Sequence, residues 1–165
     1  MGAGKTAIGK ELARQLKLDF LDADQEIERR TGADIPLIFE KEGEAGFRRR
    51  EREVIAELTQ RSDLVLATGG GAVLDPANRE ALARGFVIYL KASLEAQAAR
   101  TAQNRNRPLL QTDDPQARLK QLFEVRAPLY AALARLTVDT DSGQVKQICQ
   151  RIITELESRH VISKP

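Results

Sequence analysis

The segment Gly-Ala-Gly-Lys-Thr at residues 2–6 constrains the fold of this chain more than any other. Apolar residues at helical spacing follow it and predict a helix over residues 5–16. Glycines ahead of a helix leave backbone N–H groups unpaired at the positive end of the helix dipole, where anions bind. The segment matches the last part of the phosphate-loop pattern G-x-x-x-x-G-K-[ST]. It therefore predicts a polyphosphate site at the start of a helix, with Lys5 on the phosphates and the Thr6 hydroxyl on Mg²⁺.

Composition places the chain among ordinary globular proteins. Its 165 residues suit one domain, and 42% hydrophobic with 30% charged residues is typical of a soluble protein. The net charge of +2 does not favour nucleic acid as a partner. The single cysteine, Cys149, lies on the apolar stripe of the last predicted helix, which favours a place in the core. One cysteine cannot form a disulfide within the chain, which fits a reducing cytosol. No apolar run nears the roughly 20 residues of a membrane span, and no signal-peptide core is seen. We expect a cytoplasmic protein without membrane or nucleic-acid partners.

Predicted strands alternate with predicted helices, which indicates an α/β fold with a parallel sheet. The predicted strands are 19–22, 64–67, 86–90 and 136–139. The predicted helices are 5–16, 26–30, 36–39, 44–60, 76–84, one after Ser93, one from Asp114, 126–135 with a break at Pro128, and one carrying the stripe 145–156. The run Leu-Val-Leu-Ala at 64–67 suits a strand buried on both faces.

Two aspartates, Asp22 and Asp24, stand at the carboxyl end of the first predicted strand, where ligands bind in open α/β sheets. Residues two apart in extended chain point to the same side. The pair can therefore serve the water shell of a metal ion and a substrate hydroxyl. The alternative is that Asp24 only caps the next helix.

Glycines and arginines supply the other candidate residues. Gly69–Gly71 follow a predicted strand directly and either bring backbone amides close to a ligand or form a plain turn. Arg48 begins a charged run that suits a solvated helix face, with Glu44 available as an ion-pair partner. Its guanidinium also matches a carboxylate bidentately. The polar stretch around Arg107 can close over phosphates, and Arg126 is either an anion contact or a surface charge.

Six short segments, taken together and in order, are far more specific than any one of them alone. They are Gly-Ala-Gly-Lys-Thr (2–6), Asp-Ala-Asp (22–24), Gly-Phe-Arg-Arg (46–49), Thr-Gly-Gly-Gly-Ala-Val (68–73), Asn-Arg-Pro-Leu-Leu (106–110) and Arg-Ala-Pro-Leu-Tyr (126–130). Together they resemble shikimate kinase over nearly the whole chain. The resemblance implies a P-loop NTPase-type three-layer fold like that of nucleoside monophosphate kinases. It also implies one kinase domain over 1–165, with a substrate-binding insertion at about 24–60 and a lid at about 102–115.

The resemblance implies an activity and a partner set as well. The γ-phosphoryl group of ATP would pass to the 3-hydroxyl of shikimate, giving shikimate 3-phosphate and ADP on the route to chorismate and the aromatic amino acids. Mg²⁺ would accompany ATP, and the enzyme would be a monomer.

The resemblance also assigns roles residue by residue. The implied nucleotide-binding residues are Gly2, Ala3, Gly4, Lys5, Thr6, Ala7, Arg100 (near the adenine) and Arg107 (the lid arginine). Thr6 and Asp22 would serve the metal. Shikimate would be bound by Asp24, Arg48, Gly70 and Arg126. Lys5, Asp24 and Arg107 would be catalytic, with Asp24 orienting the attacking hydroxyl.

The chain departs from the family pattern at its start, since family members carry a further glycine and a central strand before the loop. A sheet without its middle strand leaves backbone groups unpaired, at about 1–3 kcal/mol for each buried group. We therefore expect Met1 to be an internal methionine of a longer protein. If Met1 is the true start, we expect low stability and weak ATP binding.

The sequence leaves two alternative functions open. One is a neighbouring small-molecule kinase, such as one acting on gluconate, against which the pairing of segments 46–49 and 68–73 argues. The other is a non-catalytic nucleotide-binding protein descended from a kinase. The retained Lys5, Asp24, Arg48, Arg107 and Arg126 argue against the loss of a site.

Overall fold

The structure, a computed structural model, describes residues 2–101, 108–110 and 112–162. Its strands are β1 (Asp19–Asp22), β2 (Leu64–Ala67), β3 (Ile88–Lys91) and β4 (Leu136–Asp139). Its α-helices are α1 (Lys5–Leu16), α2 (Ala23–Thr31), α3 (Ile35–Leu58), α4 (Pro76–Leu82), α5 (Leu94–Thr101), α6 (Pro115–Leu133) and α7 (Val145–Ser158). Short 3₁₀ turns lie at Ala72–Leu74 and Pro108–Leu110.

The strands form two parallel pairs. β1 pairs with β2 from Asp19↔Leu64 onward, and β3 pairs with β4 from Ile88↔Leu136 onward. Within the described residues, no hydrogen-bonded ladder joins β2 to β3. The predicted α/β architecture with parallel strands is confirmed, and its sheet consists here of two halves.

β2 lies between two apolar clusters, as its uninterrupted apolar run predicts. Leu64 and Leu66 pack against a cluster built around Ile55 of α3. Val65, on the opposite face, packs against a cluster built around Ile152 of α7 and Ile8 of α1. Cys149 belongs to this second cluster and is fully buried, as predicted. Helices thus cover both faces of the sheet, which gives three layers.

The predicted helix starts follow from local capping. The side chains of Asp75, Ser93 and Asp114 each accept a hydrogen bond from an amide two or three residues later, at 2.9–3.1 Å. Proline at the first helical position follows Asp75 and Asp114, where its fixed φ suits the helix.

One predicted break in a helix is confirmed and another is wrong. Gly43, with a left-handed φ of 68°, interrupts α3 in the gap between the helices predicted at 36–39 and 44–60. α6 runs through Pro128 without the predicted break. A proline leaves the carbonyl four residues earlier unpaired. That carbonyl belongs to Glu124, an exposed residue that water can reach, so the helix continues.

α1 packs tightly against β1, which fixes where the loop at residues 2–6 lies. A Cβ atom at Gly9 would lie 2.4 Å from the Phe20 ring, so only glycine allows this approach. The first turn of α1 therefore stands beside the carboxyl ends of β1 and β2. No helix in the described ranges is both long and apolar enough to cross a membrane.

Candidate active site

The loop that opens the chain has the backbone of an anion-binding site. Gly2 and Gly4 have left-handed φ angles of 67° and 81°. Successive backbone amides in such a conformation form a concave nest for anions. Gly4 is the N-cap of α1, and a glycine has no side chain to accept hydrogen bonds from the first-turn amides. The half-buried Lys5 lies at this end of the helix, near enough to Asp24 for its positive charge to stabilise that carboxylate.

Asp22 joins the loop to the next helix. The Thr6 hydroxyl donates to Oδ2 of Asp22 at 3.0 Å, and the Asp24 amide donates to Oδ1 of Asp22, also at 3.0 Å. Asp22 is therefore the N-cap of α2, and the alternative that Asp24 fills this role is wrong. Asp24 lies in the first turn of α2 rather than in extended chain, but the two carboxyl groups are still close neighbours.

A buried cluster of charged groups lies beside this loop. Its members are Asp24 of α2, Arg48 and Glu51 of α3, and Arg126 of α6. Glu51 is 0% exposed and Arg126 is 4% exposed. Arg48 donates from Nη1 to Oε2 of Glu51 at 2.6 Å, and from Nη2 to Oε1 of Glu44 at 3.1 Å. The predicted ion pair of Arg48 with Glu44 is present, but the guanidinium is mostly buried and not part of a solvated face.

Three buried polar atoms of this cluster have no hydrogen-bond partner within the described part of the chain. They are Oδ1 of Asp24, Oε1 of Glu51 and Nε of Arg126. Buried polar atoms in folded proteins are nearly always paired, so such orphans call for an explanation. Two acceptors and one cationic donor within one cluster fit a ligand with hydroxyl groups and an anionic group.

Burial also shifts the protonation of the cluster. The pKa of Asp24 is raised, first by burial and then by the negative charge of Asp22, while Lys5 and Arg48 oppose the shift. Burial raises the pKa of Glu51 too, against the attraction of Arg48. Burial lowers the pKa of Arg126. A carboxyl group with a raised pKa beside a phosphate-binding loop is suited to accept a proton.

The glycine segment after β2 closes one side of the cluster. A Cβ atom at Gly69 would lie 3.0 Å from Oδ1 of Asp24, and one at Gly71 would lie 2.2 Å from Nη2 of Arg48. The charged groups thus lie directly against the loop backbone, and glycine is needed for this close approach. The carbonyl of Gly70 accepts a hydrogen bond from the Tyr130 hydroxyl.

Sequence reasoning did not find Glu51 or Tyr130. Glu51 follows Arg48 by three residues and Tyr130 follows Arg126 by four, which puts each beside its arginine on one helix face. That spacing was the available signal. Nothing in the charged run around Glu51 indicated that this side chain would be fully buried.

The remaining predicted residues lie elsewhere. Arg100 donates to the Gly2 carbonyl at 3.1 Å and to the Thr140 carbonyl at 2.8 Å, so it links the loop at residues 2–6 to the end of β4. Ala3 is buried and Ala7 is exposed at the start of α1. Arg107 falls outside the described residues, as does half of the predicted lid, at 102–107 and 111.

We predict that Tyr130→Phe weakens binding of the substrate that occupies the charged cluster, because the glycine segment loses a hydrogen bond that holds it in place. The change removes the donor to the part-buried Gly70 carbonyl, and such a hydrogen bond is worth about 0.5–1.5 kcal/mol. Steady-state kinetics should show a several-fold higher KM for the acceptor with a nearly unchanged kcat. Tyr89→Phe is the matched control, since the Tyr89 ring lies 4.9 Å from the Tyr130 ring. Equal effects of the two changes would assign the loss to ring packing instead of the hydroxyl.

The chain is similar to known proteins of one family over nearly its whole length. The model of the shikimate kinase family matches residues 1–157. The shikimate kinase of Burkholderia pseudomallei strain K96243 is 52% identical over 166 residues, covering 100% of this chain and 90% of that protein. The shikimate kinase of Methylococcus capsulatus is 56% identical over 158 residues, covering 95% and 88%.

Solved structures give the same answer. The shikimate kinase of Acinetobacter baumannii in complex with shikimate superposes with a TM-score of 0.95 at 50% identity, covering 98% of this chain and 91% of that one. The enzyme of Bacteroides thetaiotaomicron superposes with a TM-score of 0.86 at 34% identity, covering 95% and 94%. The expected P-loop fold of the nucleoside-monophosphate-kinase type is confirmed. This chain belongs to the shikimate kinase family.

Proposed function

We propose that this chain transfers the γ-phosphoryl group of ATP to the 3-hydroxyl of shikimate, giving shikimate 3-phosphate and ADP for the route to chorismate. The observation that carries the proposal is the buried cluster beside the phosphate loop, with its unpaired Oδ1 of Asp24, Oε1 of Glu51 and Nε of Arg126. Shikimate is a carboxylate with three hydroxyl groups, and it offers a partner to each of these atoms.

The nucleotide occupies the loop at residues 2–7 in this proposal. Backbone amides from Gly2 to Ala7 and the side chain of Lys5 hold the β- and γ-phosphates at the positive end of α1. Arg100 stands beside Gly2 and Thr140, on the side where the adenine would lie. Arg107 is proposed to contact the phosphates from the lid at about 102–115.

Thr6 and Asp22 fit a magnesium ion bound with ATP. Mg²⁺ is typically held by one or two protein oxygens, with water and substrate phosphates completing its six ligands. The described residues contain no group of three acidic, histidine or cysteine side chains that could hold a metal alone. The Thr6 hydroxyl and the Asp22 carboxylate meet at 3.0 Å, which suits direct and water-mediated ligation respectively. When bound, the ion neutralises phosphate charge.

Shikimate occupies the charged cluster in this proposal. The guanidinium groups of Arg48 and Arg126 bind its carboxylate, because a planar fork matches that group bidentately. Asp24 and Glu51 accept hydrogen bonds from its hydroxyls, and the Gly70 backbone supplies a further contact. The segment 24–60, which contributes Asp24, Arg48 and Glu51, is then the acceptor-binding part of a single kinase domain over 1–165.

Asp24 is the residue best placed to act on the reacting hydroxyl. It aligns the 3-hydroxyl and accepts its proton as the oxygen–phosphorus bond forms and the bond from the γ-phosphorus to the bridging oxygen breaks. Lys5 stabilises the negative charge on the transferring group and on ADP. Such transfer depends mainly on positioning and charge neutralisation, which fits a site of preorganised charges.

The raised pKa of Asp24 predicts a pH dependence. Only the ionised carboxyl can accept the proton, so kcat/KM for shikimate should fall as the pH drops through the pKa of Asp24. Because burial raises this pKa, the acidic limb should lie above the value of about 3.9 for an ordinary aspartate. A profile of kcat/KM against pH at saturating ATP measures it. A limb at or below pH 4 would contradict the role of Asp24 as the proton acceptor.

A coupled assay of ADP release tests the proposed function. With Mg·ATP, we expect turnover with shikimate and none above background with gluconate. Turnover with gluconate alone would favour the neighbouring kinase class, and nucleotide binding without any turnover would favour the non-catalytic alternative. We further propose that the enzyme works as a cytoplasmic monomer.

A further inference from the structure

Asn78 of α4 is a buried polar residue that the proposed chemistry does not use. It is 1% exposed, and its Nδ2 donates to the Ala72 carbonyl at 3.1 Å. Its Oδ1 has no hydrogen-bond partner in the described part of the chain. A buried amide that is only half paired costs stability and calls for an explanation. The explanation lies in what the paired end of this amide holds.

Asn78 holds the 3₁₀ turn at Ala72–Leu74, which directly follows the glycine segment at Gly69–Gly71. The next side chain of α4, Arg79, donates to the carbonyls of the last two residues of the turn, at 2.6 and 3.2 Å. Two consecutive side chains thus bind three consecutive carbonyls. The amides at both ends of the turn donate to glycine carbonyls three residues earlier, at 3.2 and 3.0 Å. The anchor on α4 therefore extends to the glycine segment.

The glycine segment needs such an anchor, because glycines have the widest backbone freedom and no side chains to pack. Its position matters to the charged cluster. A Cβ atom at Gly71 would lie 2.2 Å from Nη2 of Arg48, so this guanidinium lies directly against the backbone. A guanidinium binds a carboxylate through a planar fork, and a change in the tilt of that plane weakens the pair.

α4 is itself fixed to the helix that carries Arg48. Asp75, the N-cap of α4, accepts from Nε of Arg52 at 2.7 Å. Arg52 follows Arg48 by four residues on α3, and Asp75 follows Gly71 by the same number. The glycine segment and the start of α4 therefore lie along one face of α3. Arg52 is exposed, and exposed ion pairs are worth little, whereas the hydrogen bond of Asn78 is buried.

We propose that Asn78 is a positioning residue for the acceptor site. It holds the glycine segment against Arg48, so that the guanidinium keeps the plane in which it binds the substrate carboxylate. This inference rests on the proposed function, because the carboxylate is that of shikimate. Asn78 contacts neither substrate and acts through the Ala72 carbonyl. Loss of its donor weakens the binding of shikimate and leaves the nucleotide site at residues 2–7 unaffected.

Asn78→Leu removes the donor and keeps the site filled. We expect the KM for shikimate to rise about threefold to tenfold, with kcat and the KM for ATP nearly unchanged. A single hydrogen bond of about 0.5–1.5 kcal/mol corresponds to such a change. Asn78→Ala also removes the donor, without adding volume, and is measured alongside. Poor folding of one variant then leaves the other to decide.

Gln97→Leu is the matched control for the loss of a buried amide. Gln97 of α5 is also buried, and its Nε2 donates to the Ala92 carbonyl at 2.9 Å. The substitution removes a hydrogen bond of the same kind at a helix with no proposed part in shikimate binding. It should leave the KM for shikimate unaltered. Equal effects of Gln97→Leu and Asn78→Leu on this KM would overturn the proposal.

A double-mutant cycle with Arg48→Lys tests whether Asn78 acts through Arg48. In the Arg48→Lys background, Asn78→Leu should raise the KM for shikimate by less than about twofold, because the planar pair is already lost. A rise as large as in the unmodified chain would overturn the proposal. If the unmodified chain does not turn over shikimate, the proposed function fails and this inference with it. Turnover with an unchanged KM in Asn78→Leu and Asn78→Ala overturns this inference alone.

Discussion

Asp24→Asn should lower kcat by about 10²–10⁴-fold and leave ATP affinity nearly unchanged. An amide of the same shape can still contact a hydroxyl, but it cannot accept the proton, and positioned general bases contribute about this factor. The carboxyl group belongs to the buried cluster beside the phosphate loop, and its Oδ1 has no hydrogen-bond partner within the described residues. Steady-state kinetics with shikimate and a nucleotide titration measure the two quantities separately.

A loss of kcat in Asp24→Asn could also come from unfolding, so the stability of the variant is the check. The pKa of Asp24 is raised in the folded state, chiefly by burial. The stability linked to this group is therefore present at low pH and lost as the pH rises through its folded pKa. At neutral pH, replacement by asparagine should not lower the Tm. Asp34→Asn is a matched control, because asparagine caps a helix as well as aspartate does at this exposed N-cap. Near-normal turnover in Asp24→Asn would remove the residue from the mechanism.

Arg48→Lys should raise the KM for shikimate about 10-fold to 100-fold, with a smaller effect on kcat. The Arg48 guanidinium already donates to Glu51 and Glu44, and it has donors in a fixed plane for a ligand carboxylate as well. A lysine ammonium cannot serve these groups together. Charge-assisted hydrogen bonds are worth about 1.5–3 kcal/mol, and tenfold in binding corresponds to about 1.4 kcal/mol.

Arg49→Lys is the control for this substitution. Arg49 is the next residue of α3 and is exposed, so the same chemical change there should leave the KM unaltered. An unchanged KM in Arg48→Lys would contradict the carboxylate role and leave Arg48 as the partner of buried Glu51. A comparison with an analogue that lacks the carboxylate separates the two cases, because the variant should lose no further affinity for it.

The parts of the fold that follow local rules could be predicted from the sequence. Asp75 with Pro76 and Asp114 with Pro115 start helices through caps within a few residues, and the structure has both helices there. The effect of Pro128 could not be predicted, because it depends on whether water reaches the Glu124 carbonyl on the assembled surface. The break at Gly43 could be predicted, because the helical pattern stops at residue 39 and resumes at residue 44.

The same division holds for the site. The proximity of Thr6, Asp22 and Asp24 could be predicted from the sequence, because a helix start and the carboxyl end of a strand share one edge of the sheet. Glu51 could not, because a run of alternating charges is typical of a solvated helix. Its burial follows from the tertiary contact between α3, Asp24 and the glycine segment. The roles assigned to Arg107 and Arg126 remain predictions for kinetics to test.

In the proposed site, the two hydrogen bonds that Asp22 accepts link the ATP side to the shikimate side. One oxygen receives the Thr6 hydroxyl on the donor side, and the other caps the helix whose first turn holds Asp24 on the acceptor side. In this proposal Asp22 sets the distance between the phosphoryl donor and the acceptor hydroxyl, while Arg48 and Arg126, on other helices, select the carboxylate of the ring. Substitutions on α3 and α6 that change the preferred ring should then leave the contacts of Asp22 in place.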